Sequence, residues 1–442
     1  MNASEAVGPI EVAPEFGAWI ETTLGQLADY INGFAFKPTD WHEQGLPIIR
    51  IGQLTDPKAQ FDRYPGRLPE RYLIRDGDLI FSWSATLMTL IWDRGPAYLN
   101  QHLFRVVARS GTNLEFLHHL LDFKMDALAG QTHGTTMRHI KRSDLLPFRV
   151  SVPTETEQRS IASVLDAADD AIHKTEELLA KLGRVKQGVL HSLLTRGVED
   201  TGVSRDPGRS PAQFNETPLG LLPRAWNVLT VTTLVDSAGT FIQTGPFGSQ
   251  LHASDYVSAG VPVVMPQDIL NGEIATTRVA RIREEKARAL GRHRMQAGDI
   301  VFARRGDLSK CATIKEDQEG WLCGTGCLLL RPPQTAVRSS WLAAVYRHDL
   351  CQRQIAAAAV GSTMVNLNST LLGALRIPLP PTTEQDQIGA VIDADQQRTD
   401  LLRLELTKLR LIKRGLMRDL LTRRVRAPLA PEAVLARTSV SA

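Results

Sequence analysis

The chain contains the segment His133-Gly134-Thr135-Thr136-Met137 and, 361 − 134 = 227 residues later, the segment Val360-Gly361-Ser362-Thr363-Met364. At the same spacing Leu193-Leu194-Thr195-Arg196 is matched by Leu420-Leu421-Thr422-Arg423. Self-similarity at one fixed period is the sequence signature of a repeated structural unit. The chain is therefore predicted to be one unit used twice, which suits a protein that recognises two similar things.

Length and composition indicate a globular protein of several domains. The chain has 442 residues, of which 43% are hydrophobic, and this length predicts two to four domains with real cores. A formal net charge of +3 permits nucleic-acid binding but does not demand it. No apolar run approaches the length of about 18 residues that a membrane span needs, and the acidic N-terminus lacks the pattern of a signal peptide. We therefore expect a cytoplasmic protein that does not interact with membranes.

The four cysteines all lie in the second half, at Cys311, Cys323, Cys327 and Cys351. No two of them form a Cys-x-x-Cys pair, and Cys323 and Cys327 have no nearby pair of ligands to complete a tetrahedral zinc site. The spacing favours buried, reduced thiols over a metal site.

Each half is predicted to be a mixed α/β module followed by a long helix. Short β-branched or aromatic runs bounded by Gly, Pro and Asp predict strands at residues 46–51, 78–83, 87–92 and 103–108, with counterparts at 261–265, 299–303, 312–315 and 327–331. The spacing between counterparts drifts from 260 − 45 = 215 to 298 − 77 = 221 and then to 227 in the helix. Insertions have therefore accumulated in the module loops, which is where recognition usually lies.

Both predicted helices carry a heptad seam. Alternating steps of four and three residues from Ile161 and from Ile388 give eight apolar positions of ten in the first half and seven of ten in the second. A seam of this length predicts two helices of roughly 50–60 Å that pair as an antiparallel coiled coil. The candidates for helix pairing and partner binding are Ile161, Leu165, Ile172, Leu179, Leu182, Lys186, Ile388, Ile392, Leu402, Leu406, Leu409 and Lys413.

Two further features of these helices are the spacing of polar residues at their starts and a matched lysine in each seam. Thr154 with Glu157, and Thr382 with Gln385, have the spacing of capping boxes at the helix starts. Lys186 and Lys413 occupy matched seam positions. There a polar residue either fixes the register of the pair or extends outward along its aliphatic stem.

These patterns predict an α+β fold in which two mixed α/β domains are joined by two long antiparallel coiled-coil helices, with a pseudo-twofold internal repeat. The predicted boundaries are a first recognition domain at 1–152, a helical region at 153–198, a polar linker at 199–217, a second recognition domain at 218–380, a second helical region at 381–426 and a tail at 427–442.

Motifs of known catalytic sites are missing from the sequence. It has no phosphate-binding loop, dinucleotide fingerprint, nucleophile elbow or HExxH motif, and no Asn/Asp-Pro-Pro-aromatic motif of an amino-methyltransferase. The matched polar residues lie instead on the helices and in the Gly-Ser/Thr-Thr-Met block. We therefore expect a non-catalytic protein.

Three loops in each module carry the polar and basic side chains suited to phosphates and base edges. The candidate DNA-binding residues are Lys37, Ser82, Ser84, Arg138, His139, Lys141 and Arg142 in the first module, and Gln243, Ser249, Arg304, Arg305, Lys310, Ser362, Asn366 and Asn368 in the second. Arg can contact guanine, and Asn adenine, through paired hydrogen bonds. The alternative for each residue is a solvated loop that holds its own backbone. The basic segment 278–295 likewise either contacts phosphates or is an exposed helix.

The doubled motif set resembles the DNA-specificity subunits of Type I restriction-modification systems. The resemblance rests on Gly361-Ser362-Thr363-Met364-Val365-Asn366-Leu367-Asn368, on Ile377-Pro378-Leu379-Pro380-Pro381, and on the helix end from Lys413 to Thr422, which the first half repeats from Lys186 to Thr195. It covers nearly the whole chain, from Trp19 to about Val425. The first copy departs from the pattern, since Arg138-His139-Ile140-Lys141 stands where the second has Val-Asn-Leu-Asn.

The resemblance implies that each module reads one half of a split DNA sequence and that the helices set the gap between the halves. It also implies no catalysis and no cofactor in this chain. The partners would be double-stranded DNA, two methyltransferase subunits that use S-adenosylmethionine, and two translocase-endonuclease subunits that use ATP and Mg²⁺. The alternative from another class is a tandem scaffold that assembles proteins through its coiled coil and binds no DNA.

Overall fold

The computed structural model describes residues 19–56, 58–130, 139–199, 202–237, 239–358 and 366–428. The chain divides into two compact units. The first unit consists of Met1–Glu177 and Arg403–Ala442, and the second unit of Leu178–Leu402. Among the described residues, no helix is both long enough and apolar enough to cross a membrane.

The first unit contains a module built mainly from short strands. Its strands are β1 (Ile20–Thr23), β2 (Ala28–Asn32), β3 (Leu46–Ile49), β4 (Arg63–Tyr64), β5 (Leu73–Ile74), β6 (Leu79–Ser82), β7 (Met88–Ile91), β8 (Ala97–Leu99), β9 (Leu103–Ala108) and β10 (Arg149–Val152). Its helices are α1 (Leu24–Leu27), α2 (Ile51–Thr55), α3 (Leu114–Gly130) and α4 (Arg142–Leu145). One antiparallel sheet has the order β2-β9-β6-β7, and a second has the order β4-β3-β8-β5 with β3 and β8 parallel. β1 pairs with β10, next to the start of the long helix α5 (Glu155–Thr195).

The second unit contains a module with corresponding elements. Its strands are β11 (Phe214–Thr217), β12 (Gly220–Pro223), β13 (Asn227–Thr230), β14 (Phe241–Thr244), β15 (Tyr256–Val257), β16 (Val261–Val264), β17 (Ile269–Leu270), β18 (Glu273–Ile274), β19 (Ala280–Ile282), β20 (Ile300–Ala303), β21 (Cys311–Thr313), β22 (Leu322–Cys323), β23 (Cys327–Arg331) and β24 (Arg376–Leu379). Its helices are α6 (Val231–Leu234), α7 (Glu284–Ala289), α8 (Ser339–Arg347), α9 (Asp349–Ala358) and α10 (Ser369–Ala374), followed by the long helix α11 (Thr382–Leu421).

The main antiparallel sheet has the same strand order in the two modules, and the second sheet shares its central parallel pair. β14-β23-β20-β21 has the order and antiparallel pairing of β2-β9-β6-β7, and β16 pairs in parallel with β22 as β3 does with β8. β13 pairs with β24 as β1 pairs with β10. The eight predicted strands all overlap observed strands, and the predicted α+β fold with an internal repeat is confirmed.

Aromatic side chains fill the core of each module. In the first, Tyr30 is completely buried and meets Phe81 and Phe104 edge to face, with ring centroids 6.4 and 6.0 Å away. In the second, Phe302 and Tyr346 meet edge to face at 4.5 Å. Burial of such rings contributes more than their area alone suggests, so each module has the core of an independent domain.

The long helices α5 and α11 place their heptad seams inward. Ile161 and Leu165 of α5 are buried with Leu420 and Leu421 of α11 in the core of the first unit. Leu193 and Leu194 are buried with Ile388 in the core of the second. In each unit the helices therefore run antiparallel. The seam shifts near the end of α5, where Val189 is 42% exposed and Leu190 is the half-buried residue instead.

Each seam lysine forms an ion pair with the opposite helix. Lys186 Nζ lies 3.1 Å from Asp395 Oδ2 and donates to Gln396 Oε1 at 2.8 Å, all within the second unit. Lys413 Nζ lies 2.6 Å from Asp169 Oδ1 within the first unit. These contacts favour the register-fixing role over outward extension, because each ammonium is directed across the helix pair.

The matched glutamines fasten each helix start to its module. Gln158 accepts from the Asn113 amide at 2.9 Å and donates to the carbonyls of Gly111 and Pro153. Gln385 does the same with the Arg338 amide and the carbonyls of Ala336 and Pro380. The predicted capping box at Gln385 is therefore wrong, because the side-chain amide of Gln385 is hydrogen-bonded to the module and not to the start of its own helix.

The matched glutamates behave differently in the two halves. Glu384, 6% exposed, binds the guanidinium of Arg205 and accepts hydrogen bonds from the Val198 amide at 2.9 Å and Trp226 Nε1 at 3.0 Å. Glu157 is 5% exposed, and its Oε2 has no hydrogen-bond partner among the described residues. It does not cap α5 either, because no bond joins it to Thr154 in the described part of the chain.

The predicted polar linker at 199–217 is more ordered than its composition indicated. Arg205 is held by Glu384, and Ser192 and Ser204 are joined through their hydroxyls at 2.7 Å. β11, which ends this stretch, forms a hairpin with β12. Within its described residues, the segment is part of the second unit's packing.

All four cysteines are buried and unpaired. Burial raises the pKa of the Cys311, Cys327 and Cys351 thiols to about 12, so they stay protonated at neutral pH. Among the described residues, no group of three or more His, Cys, Asp or Glu side chains is arranged to hold a metal ion.

Candidate nucleic-acid interface

In the second unit, the end of β20 is joined to the segment that precedes α10. The Leu367 amide donates to the Arg304 carbonyl at 3.0 Å, and Arg304 Nε donates to the Leu367 carbonyl at 3.1 Å. Leu367 is completely buried and anchors the segment in the core. One residue further out on each side, Arg305 Nε donates to Asn366 Oδ1 at 3.2 Å. We call Arg304, Arg305, Asn366 and Leu367 the second platform.

The first unit has the same junction at the end of β6. The Ile140 amide donates to the Trp83 carbonyl at 2.9 Å, and Ser84 forms an isolated antiparallel bridge with His139. Ile140 is completely buried, and the Trp83 ring lies 6.1 Å from His139 and 5.7 Å from His102. We call Trp83, Ser84, His139 and Ile140 the first platform.

The two platforms correspond position by position. Arg304 follows Trp83 by 304 − 83 = 221 residues, and Leu367 follows Ile140 by 367 − 140 = 227, the offsets found in the strands and helices. The backbone hydrogen bond is the same in both, whereas the next residue pair is Ser84 and His139 in one and the exposed Arg305 and Asn366 in the other. Ser84 is 5% exposed, so its side chain, predicted to bind DNA, is not available to DNA, and His139 is half-buried. The backbone arrangement is therefore repeated in the two platforms, whereas the side chains at these positions are not.

A left-handed residue follows the outward residue on each platform. Ala85 has φ 57° and Gly306 has φ 75°, and their separation is again 306 − 85 = 221. A left-handed alanine is strained by roughly 1 kcal/mol, and such strain tends to be kept at functional sites. The presence of a left-handed residue at both corresponding turns supports a functional use of the platforms.

Positive charge lies close to both platforms. In the first module Lys141 and Arg142 are exposed at the start of α4. In the second module the exposed Arg305 and the half-buried Lys310 flank Asp307. A hydrogen bond from Ser309 lowers the pKa of Asp307, so this acid is ionised at neutral pH.

The remaining predicted residues do not gather at one place. Lys37 and Ser249 are exposed on other loops. Gln243 donates to the Arg292 carbonyl at 2.9 Å and is half-buried. Asn368 caps α10 by accepting from the Leu371 amide at 2.7 Å, so its side-chain oxygen is already occupied.

Ser82 must be corrected. It is completely buried within β6, and its hydroxyl donates to the Ser84 carbonyl at 3.4 Å. β6 is buried along its whole length, as expected for a strand inside a sheet that is covered on both faces, so Ser82 is not available to DNA. Arg138 and Ser362, together with both copies of the Gly-Ser/Thr-Thr-Met block, lie outside the described residues.

Much of the basic segment 278–295 is engaged within the second unit. Lys286 pairs with Asp255 at 3.0 Å, and Arg294 pairs with Glu284 at 2.7 Å. Arg281 donates to the Gly260 carbonyl at 3.0 Å. These internal bonds favour a structural role for this segment over phosphate contact.

The predicted residues Ser84, His139, Arg304, Arg305 and Asn366 come together on the platforms, whereas the apolar residues that anchor them were not predicted. Trp83, Ala85 and Ile140 are not basic, and only their position in the repeat singles them out. Aligning the two halves at offsets of 221 and 227 would have paired them with Arg304, Gly306 and Leu367. The drift in spacing obscured this match, because it changes between the strand end and the segment that meets it.

Comparison with known proteins identifies the family to which the chain belongs. The family model for the Type I restriction modification DNA specificity domain matches residues 17–183 and again residues 254–410. The specificity subunit of the Escherichia coli Type I restriction enzyme EcoBI is 24% identical over 307 residues, which cover 68% of this chain and 63% of the relative. The Methanocaldococcus jannaschii MjaVIII specificity subunit is 20% identical over 419 residues, covering 92% of this chain and 93% of the relative.

Solved structures share the fold. The S subunit of a Type I restriction-modification system from M. genitalium has a TM-score of 0.58 at 15% identity, covering 92% of this chain and 97% of that one. A chain from a structure concerned with complex assembly of the type I R-M system has a TM-score of 0.52 at 17% identity, covering 93% and 99%. The two family matches together span most of the chain and fall one on each half, so the protein belongs to the Type I restriction-modification DNA specificity family and carries its domain twice.

Proposed function

We propose that this chain is the sequence-specific DNA-binding subunit of a Type I restriction-modification complex, in which each module binds one half of a bipartite target. The observation that carries the proposal is the pair of platforms, which share their backbone hydrogen bond and differ in the side chains beside it. Two half-sites of different sequence need two readers of equal geometry and unequal chemistry, because base edges are distinguished by the donors and acceptors that meet them.

The long helices would set the distance between the half-sites. Each rises about 1.5 Å per residue, and the lysine ion pairs fix the register within each unit. A fixed register makes the helix length a defined quantity, which a spacer of constant length requires.

Exposed apolar residues on the same helices would bind the partner subunits. On α5, Val185 and Val189 are 52% and 42% exposed, and on α11 Leu411 and Ile412 are 58% and 54% exposed. Val185 and Ile412 are repeat equivalents, since 412 − 185 = 227. Exposed apolar residues can mark protein interaction sites, and one such residue at the equivalent position of each helix suits two methyltransferase subunits.

Chemistry would then belong to the partners. The methyltransferase subunits would bring S-adenosylmethionine, and two translocase-endonuclease subunits would bring ATP and Mg²⁺, while this chain selects the DNA. The rival function, a tandem scaffold that binds no DNA, accounts for the helices but gives the duplicated platforms no role.

The test is to express the chain with its methyltransferase and to map methylated adenines across the host genome. We expect one bipartite motif with a constant gap. Substitutions on the first platform should change one half of the motif, and substitutions on the second platform the other half. A stable complex that adds no methylation, and that shows no salt-dependent binding to DNA, would instead support the scaffold.

A further inference from the structure

The second platform holds one arginine in an unusually defined position. Arg305 follows Arg304, whose backbone and side chain are both bonded to the buried Leu367. It precedes Gly306 and a turn in which Asp307 accepts from the Ser309 amide at 3.0 Å and from its hydroxyl at 2.6 Å. The backbone on both sides of Arg305 is thus held by hydrogen bonds.

The side chain of Arg305 is oriented as well. Its Nε donates to Asn366 Oδ1 at 3.2 Å, and both residues are exposed. A bond to Nε restricts the orientation of the guanidinium and leaves its two terminal nitrogens available as paired donors. Within the described part of the chain, those terminal nitrogens make no hydrogen bond.

The neighbouring arginine shows the contrast. Arg304 is half-buried, and its Nε donates to a backbone carbonyl at 3.1 Å. Its role is to join two segments of the module. Among the described residues, the side chain of Arg305 is bonded to the exposed side-chain amide of Asn366 alone, so this bond orients the arginine without consuming its paired donors.

Resting on the proposed function, we propose that Arg305 reads one guanine in the half-site bound by the second module, and that Asn366 positions the arginine instead of reading a base. Paired donors at the edge of a fixed guanidinium match O6 and N7 of guanine in the major groove. Pre-orientation lowers the entropy that a free arginine would lose on binding. The first platform has the buried Ser84 and the half-buried His139 at these places, so this arginine contact has no counterpart in the first module.

The competing role for Arg305 is a phosphate contact. Loss of a phosphate contact lowers affinity for all sequences alike and reduces the salt dependence by about one ion. Loss of a base contact instead relaxes specificity at one position of the target. Substitutions that keep the charge but lose the planar fork separate these roles, because a lysine serves a phosphate as a point charge but cannot form the paired contact.

The experiment uses the full chain in complex with its methyltransferase. Arg305→Lys, Arg305→Gln and Asn366→Ala are compared with wild type by methylome mapping. They are also compared by equilibrium binding to duplexes in which each half-site position is varied in turn. Arg353→Gln is the matched control, since Arg353 is an exposed arginine of the same unit whose pair is Asp349 on its own helix.

We expect both Arg305 variants to lose about 10- to 100-fold discrimination for guanine at a single position, the range that one paired base contact supplies. Asn366→Ala should lose several-fold at that same position, and Arg353→Gln should lose nothing. The other half-site should be unchanged in all variants. Normal discrimination by Arg305→Lys, or a uniform loss of affinity at every position, would overturn the inference. Absence of any bipartite motif for wild type would instead remove the proposed function.

Discussion

Replacing Glu384 by glutamine should destabilise the second unit, whereas the same change at Glu157 should not destabilise the first. The two glutamates are repeat equivalents with nearly equal burial, 6% and 5% exposed. Glu384 receives bonds from Arg205, Trp226 and the Val198 amide. Glu157 Oε2 has no partner within the described residues. The duplication thus provides a matched control within one molecule.

The size of the effect follows from the partners. Removing one member of a buried ion pair costs about 3–5 kcal/mol, because the other charge is left without compensation. Arg205 retains 17% side-chain exposure, and glutamine can still accept one of its hydrogen bonds. We therefore expect Glu384→Gln to lower the free energy of unfolding of the second unit by about 2–3 kcal/mol. Glu157→Gln relieves a buried charge and should leave the first unit unchanged or raise its stability by about 1 kcal/mol.

Hydrogen exchange measured by mass spectrometry reads each unit separately, which a single unfolding curve of a two-unit protein does not. Peptides from α11 near Glu384 should exchange faster in Glu384→Gln, and peptides from α5 near Glu157 should not do so in Glu157→Gln. The double variant Glu384→Gln with Arg205→Met should recover part of the loss, since no uncompensated charge remains. Equal destabilisation by the two single variants would refute the reasoning.

Four further outcomes are expected. Seven residues inserted into both long helices at the boundary between the units should lengthen each by about 10 Å and the target gap by about three base pairs of about 3.4 Å. In the methylome, changed half-site bases or an unchanged gap would contradict this. Val185→Glu and Ile412→Glu should each remove one methyltransferase subunit from the complex, as measured by its mass; an unchanged mass would exclude these surfaces. Ala85→Gly should raise the thermal stability of the first unit by up to about 1 kcal/mol, because glycine adopts the left-handed backbone without strain; a lowered melting temperature would speak against strain there. Burial lowers the pKa of His118 to about 4 from 6.5, so the unfolded chain binds more protons between these values. Stability should therefore fall by up to about 3 kcal/mol as the pH drops from 6.5 to 4, and His118→Gln should flatten that part of a urea-denaturation series.

Elements that follow a local sequence pattern of a few residues were predictable from the sequence. The heptad seams follow from apolar residues three and four apart, and the strands follow from short β-branched runs between turn residues. The matching order of the main antiparallel sheets follows in turn from the internal repeat. Local periodicity determines these elements because each is stabilised chiefly by its own pattern of burial.

Features that depend on distant partners were not predictable in the same way. Arg205 and Glu384 are 179 residues apart, and Arg304 and Leu367 are 63 apart. Arg205 lies in a polar stretch that has the composition of a linker, and nothing in that composition distinguishes it from its neighbours. The capping-box spacing at Gln385 was misleading for the same reason, since the side chain found better partners in the module than in its own helix.

The two halves have diverged in more than their outward side chains. Gln158 and Gln385 make the same three contacts in each half, and the lysine ion pairs recur across the seams. Glu157 and Glu384 do not share their contacts, although both belong to this fastening of helix to module. Their difference cannot serve base recognition, because both carboxylates are buried. Asymmetry between the halves therefore assigns a residue to DNA recognition only where the residue is also exposed, a condition that Arg305 meets and Glu384 does not.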